Sequence, residues 1–198
     1  MGGAPSISRR RDDIPNLPDP SRSAAILIGV SQYADEDLPD LPAAADNIRG
    51  LRNALTDPLF GAFASVNSVA LVNPTDAAVI GGAFRAAAGA VDTLLVYYAG
   101  HALVSAQGNE LYLGFSETDP RKIASTALPY ETISEMLAQS SARNRVLILD
   151  CCYNGLAIQP ALAGAAAAFG RKAPAIDAYV LTSFSDYARY SAFTTELT

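Results

Sequence analysis

Thr93-Leu94-Leu95-Val96-Tyr97-Tyr98-Ala99 runs directly into Gly100-His101. This uncharged run shows no polar alternation, so it predicts a strand buried on both faces, the kind found inside a parallel sheet. Ala24-Ala25-Ile26-Leu27-Ile28-Gly29-Val30 reads the same way, as does Arg145-Val146-Leu147-Ile148-Leu149-Asp150, which ends at Cys151-Cys152. Further strands are predicted from Ser68 to Val72 and at Tyr179-Val180-Leu181-Thr182. Between them the period lengthens to that of a helix. Ala44, Ile48, Leu51 and Leu55 form one helical face, and Ile80, Phe84, Ala87 and Val91 a second, with Thr75 as N-cap and Gly81-Gly82 as its weak turn. Ile133, Met136 and Leu137 mark a third helix, and Gly108-Asn109 predicts a small hairpin between Ala102–Ala106 and Glu110–Leu113. Strands alternating with helices imply right-handed crossovers, hence an α/β fold with a mainly parallel sheet and helices on both faces.

The 198 residues suffice for one domain with a sizeable core. Half are hydrophobic, 17% are charged and the formal net charge is −6, which argues against a nucleic-acid or anionic-membrane surface. No apolar run approaches the roughly 20 residues of a membrane helix. Residues 1–22 read as a flexible arm without the apolar core of a secretory signal, and their Arg9-Arg10-Arg11 is offset by Asp12-Asp13. The domain itself is expected over 23–198, interrupted at 156–175 by an alanine- and glycine-rich mobile linker. Ser191 to Thr198 reads as a helix start that is cut off, so the C-terminal part is expected to be incomplete. The two cysteines are neighbours, which excludes a disulfide scaffold and suits a reducing, cytoplasmic setting.

In an open parallel sheet, ligands bind beyond the carboxyl ends of the strands. His101, the chain's one histidine, and Cys152 fall at two such ends. A thiolate with an imidazole as proton carrier is equipment for acyl transfer, and the oxyanion formed would need backbone donors, here the amides of Ala102 and Cys152. Strand alternation sets Cys151 with Leu147 and Leu149 as packing, and Cys152 with Asp150. Taken singly, each residue has a plainer reading: a small buried hydrophobe for a cysteine, a solvated or capping carboxylate for Asp46. Asp150 directly follows Val-Leu-Ile-Leu and so needs a partner. A nucleotide-binding protein would need a glycine-rich loop after the first strand, and Val30-Ser31-Gln32-Tyr33 is none.

Tyr97-Tyr98-Ala99-Gly100-His101, followed by Asp150-Cys151-Cys152-Tyr153-Asn154-Gly155, resembles the caspase-like cysteine peptidases, most of all the bacterial branch related to metacaspases. Ala25 to Tyr33, the Leu41 to Leu55 helix with Ala45-Asp46-Asn47, and Tyr179 to Ser183 with Tyr190 to Thr194 are similar to further parts of that family, so the likeness covers about 24–198. The resemblance implies a caspase-like three-layer sandwich, a His101–Cys152 dyad, and no cofactor or metal. It also implies Asp150 and Asp46 as acids of a pocket for arginine or lysine. Protein or peptide substrates follow, with roles in bacterial stress, cell death or defence and a sensor domain or partner beyond the C-terminus. Arg171-Lys172, in the linker, is expected to be a self-cleavage site. Some metacaspases need calcium, for which Asp35, Glu36, Asp37 and Asp40 form a loose acidic cluster. Ala102 stands where the family usually has glycine, Asn154 where it often has serine, and Ala99 replaces a frequent serine. The alternative is a catalytically silent caspase-like scaffold or interaction module, a class that typically loses the cysteine or histidine kept here.

Overall fold

A computed structural model describes residues 17–105, 110–153 and 178–186, with backbone alone for 152–153 and 182–186. The chain runs β1 (Ala24–Gly29), α1 (Pro42–Leu55), β2 (Ser68–Val72), α2 (Ala77–Ala86), β3 (Thr93–Val104) and β4 (Leu111–Leu113). It continues through α3 (Ile123–Thr126), β5 (Leu128–Pro129), α4 (Tyr130–Ala138), β6 (Asn144–Tyr153) and β7 (Tyr179–Asp186). The parallel strands lie in the order β2-β1-β3-β6-β7. β1 and the first ten residues of β3 are buried throughout, as their unbroken apolar runs require.

Pleating divides the side chains into two cores. Ile26, Ile28, Leu94, Val96, Tyr98, Leu147, Leu149 and Cys151 face α2 and α4, which contribute Ile80, Ala83, Ile133 and Leu137. Ala25, Leu27, Leu95, Tyr97 and Ala99 face α1, which contributes Ala44 and Ile48. Helices therefore cover both faces, making the three-layer α/β sandwich expected of a caspase-like chain. Cys151 lies among the leucines, as alternation predicts. α1 sits so close to β1 that a Cβ on Gly29 would fall 2.5 Å from Ile48 Cγ1 and 3.0 Å from the Ala44 carbonyl oxygen. Among the described residues, no helix is long and apolar enough to cross a membrane.

Several details depart from the sequence reading. β3 does not stop at Gly100-His101. It runs on to Val104, because when β1 ends at Gly29 its place beside β3 is taken by antiparallel β4, with Ala102 opposite Leu113. The expected hairpin partners do pair, although Gly108-Asn109 lies outside the described residues. The N-cap of α2 is Asp76, not Thr75: its carboxylate accepts from the Ala78 and Val79 amides at 2.8 and 3.2 Å. Residues 19–22, read as part of the arm, are tied to the turn before β3 through Asp19 N to Asp92 Oδ2 at 2.8 Å and Val91 N to the Arg22 carbonyl at 2.9 Å.

Candidate active site

The neighbour exchange at the end of β1 opens a gap over β3, and the chain leaving β1 crosses it as the loop 31–41 before α1 begins. His101 lies under that loop and is fully buried. Its Nε2 is 2.8 Å from the Pro39 carbonyl oxygen. A carbonyl only accepts, so Nε2 carries the proton and, in the neutral ring, Nδ1 carries the lone pair. The Tyr33 ring lies against the imidazole, with centroids 4.7 Å apart and planes tilted by 53°. Tyr33 also accepts the His101 backbone N–H on its hydroxyl at 2.8 Å. The Tyr98 hydroxyl reaches the carbonyl oxygens of His101 and Gly114 at 3.0 and 2.9 Å. Gly100 is needed here for space: a Cβ would meet the Tyr98 hydroxyl at 2.5 Å and the Tyr33 hydroxyl at 3.0 Å.

β3 and β6 are parallel and in register, with Ala99 beside Asp150, His101 beside Cys152 and Ala102 beside Tyr153. Neighbouring strands stand about 4.8 Å apart. Histidine and cysteine backbones thus lie side by side toward the carboxyl ends of two central strands. The Cys152 side chain is outside what the structure describes, as are Asn154, the linker 156–175 with Arg171 and Lys172, and the segment 187–198. Ala102 is 1% exposed, inside β3 between β4 and β6.

Asp150 is buried, and its Oδ2 accepts the Tyr97 hydroxyl at 2.9 Å and, at a longer 3.4 Å, the Asn47 amide. Both donors stand on the α1 side of the sheet, the same pleat face as Ala99 and His101. The acid that the sequence suggested beside it, Asp46, points elsewhere: its side chain is 72% exposed and pairs with Arg49 at 2.7 Å, one turn along the same helix. Asn47, the next residue, is the one that α1 turns toward Asp150. Of the loop acids, Asp35 and Asp37 are paired with Arg121, and Asp40 Oδ1 accepts the Tyr33 backbone N–H at 2.9 Å. Among the described residues, no group of three or more His, Cys, Asp or Glu side chains is assembled to hold a metal ion.

Pro39, Tyr33, Tyr97 and Asn47 are the contacts that sequence reading missed. Pro39 and Tyr33 act through a loop path, Asn47 through a helix phase and Tyr97 through the strand pairing that sets it near Asp150, all of which the fold supplies. The one available signal was helical spacing, which puts Asn47, three residues after Ala44, on the buried side of α1.

Set against models of known families, residues 22–198 match the caspase domain of peptidase family C14. No curated protein matches the chain significantly.

Proposed function

Because the chain belongs to the caspase-domain family, we propose that it is a cysteine endopeptidase in which Cys152 is the nucleophile and His101 the proton carrier. The observation that supports this reading is the strand register, which pairs positions 101 and 152 across β3 and β6. The Cys152 thiol passes its proton to Nδ1 of His101, and the thiolate adds to the scissile carbonyl carbon. The oxyanion is to be met by backbone N–H groups, for which the Cys152 and Ala102 amides are the proposed donors. The imidazolium returns its proton to the leaving amine as the C–N bond breaks. Water then releases the acyl group from sulfur, with the imidazole taking and returning a proton again. Throughout, the Pro39 carbonyl keeps the Nε2–H directed away from the reaction and favours the charged ring.

Cleavage after arginine or lysine is the proposed specificity, with Asp150 as the acid that recognises the cation. Asp46 joins that pocket only by releasing Arg49. Self-processing after Arg171 or Lys172 follows from the same specificity, and a role in bacterial stress, death or defence signalling from the family. One experiment tests the reading. Purified wild type and Cys152→Ala are incubated alone and with Arg-, Lys- and Asp-terminated fluorogenic peptides, with and without calcium. We expect turnover of the basic peptides, two fragments of the chain itself, and loss of both by about 10⁴-fold or more in the variant. Equal rates on wild type and variant would overturn it, as would preference for the Asp peptide.

A further inference from the structure

We propose that Arg121 is a positioning residue for the His101 imidazole, acting through the loop that grips the ring; the role rests on the reading of His101 as proton carrier. Two contacts of that ring come from one segment. Tyr33 packs on its face and the Pro39 carbonyl takes its Nε2–H at 2.8 Å. Neither residue belongs to the sheet. The tautomer and heading of the imidazole therefore depend on how firmly the loop 31–41 is held over β3.

The loop is fixed at its base by Leu41 N to the Ser31 carbonyl at 2.9 Å, and by Asn73 Oδ1, which accepts Ser31 N at 2.7 Å and Gln32 N at 3.2 Å. Leu38, 2% exposed, anchors it from below. Its outer turn is organised by Asp35, whose Oδ1 accepts Asp37 N at 3.0 Å while its carbonyl accepts Leu38 N at 3.0 Å. The other oxygen of that carboxylate takes Arg121 Nη2. Arg121 Nη1 lies 3.7 Å from Asp37, and Nε is 3.0 Å from Asp119. One guanidinium thus joins two acids of the loop to a third on the β4–α3 connection. That connection is itself braced, since Asp119 N donates to Thr126 Oγ1 at 3.1 Å and Thr118 Oγ1 to the Thr126 carbonyl at 2.8 Å.

The pairing differs from an ordinary surface contact in one respect. The Arg121 side chain is 68% exposed, but that of Asp35 is only 15% exposed. The carboxylate has given up most of its water, so losing its cation is costlier than losing an exposed partner, and a multi-charge network resists screening better than a lone pair. Without Arg121, Asp35 and Asp37 repel Asp119 across the same gap. Leu38 and the base contacts keep the loop folded, so its expected response is to lift, taking the Pro39 carbonyl off the ring.

His101 is the only histidine in the chain, so an ¹⁵N-histidine spectrum reports it alone. The test compares wild type, Arg121→Gln, Arg121→Lys and Asp35→Asn by that spectrum and by steady-state cleavage of an arginine peptide. In wild type we expect the Nε2–H tautomer. In Arg121→Gln and Asp35→Asn we expect mixed tautomers and kcat reduced about fivefold with KM little changed, while Arg121→Lys retains most of both properties. Wild-type imidazole signals and kcat in Arg121→Gln and Asp35→Asn, whatever their melting temperatures, would overturn the assignment. If wild type itself does not cleave, the peptidase reading fails, and the imidazole signals still decide whether Arg121 sets the ring.

Discussion

Asp150 carries more of the proposed specificity than any other side chain, and its surroundings say how to test it. A buried carboxylate must be compensated, and the Tyr97 hydroxyl and the Asn47 amide are two of the groups that do so here. Of the side chains a substrate can offer such a carboxylate, an arginine fork matches it best. Replacing Asp150 by asparagine keeps an oxygen for both donors and nearly the same volume, so the fold should survive. Cleavage after arginine or lysine should fall on the order of a hundredfold in kcat/KM, the loss typical of removing one partner of a desolvated charge pair. Peptide kinetics with Arg, Lys and citrulline at the cleaved position check this. A uniform loss that includes citrulline would instead place Asp150 among the structural acids.

Elements differ in how they are fastened, and α2 is fastened by charge. The amides of Val79 and Ala78, with the Thr75 hydroxyl, hold the Asp76 carboxyl below the ordinary 3.8 of an aspartate. Its folded value lies under its unfolded one, so the ionised cap stabilises the protein above the unfolded value. That stabilisation is lost as pH falls through the folded value. The melting temperatures of wild type and Asp76→Ala should accordingly differ at neutral pH and converge as the solution is acidified below about pH 4. A gap that stays constant down to pH 2 would assign the effect to packing. The same helix shows what a sequence discloses. Its apolar face was legible at Ile80 and Phe84, but the helix ends at Ala86, Ala83 also faces the core and Val91 is exposed, and the choice between Thr75 and Asp76 as cap depends on backbone angles that composition does not encode. The long apolar strands were legible for the same reason as the helix face. The exchange of β1 for β4 beside β3 was not, since a three-residue strand has no period to read. At the site, the meeting of positions 101 and 152 on neighbouring strands was legible, but the phase of α1 that turns Asn47 rather than Asp46 toward Asp150 needs the packed helix.

At the scale of the whole molecule, the parallel sheet brings His101, Asp150 and position 152 to one end, and the chain as a whole carries a net charge of −6. Acidic surfaces lower the free energy of approaching cations over about a Debye length, near 10 Å at 0.1 M salt. A peptidase selecting basic residues gains from this before any contact is made. The attraction acts on encounter, so it belongs to kcat/KM and not to kcat. Raising the salt from about 20 mM to 300 mM, which shrinks the screening length severalfold, should lower kcat/KM for a peptide carrying flanking lysines. For an arginine peptide with acidic flanks kcat/KM should hold or rise, and kcat should barely change for either. Stopped-flow or steady-state kinetics on the two peptides make the comparison. Equal salt responses would mean that the field around the site is local to Asp150 and that the acidity of the rest of the chain plays no part in capture.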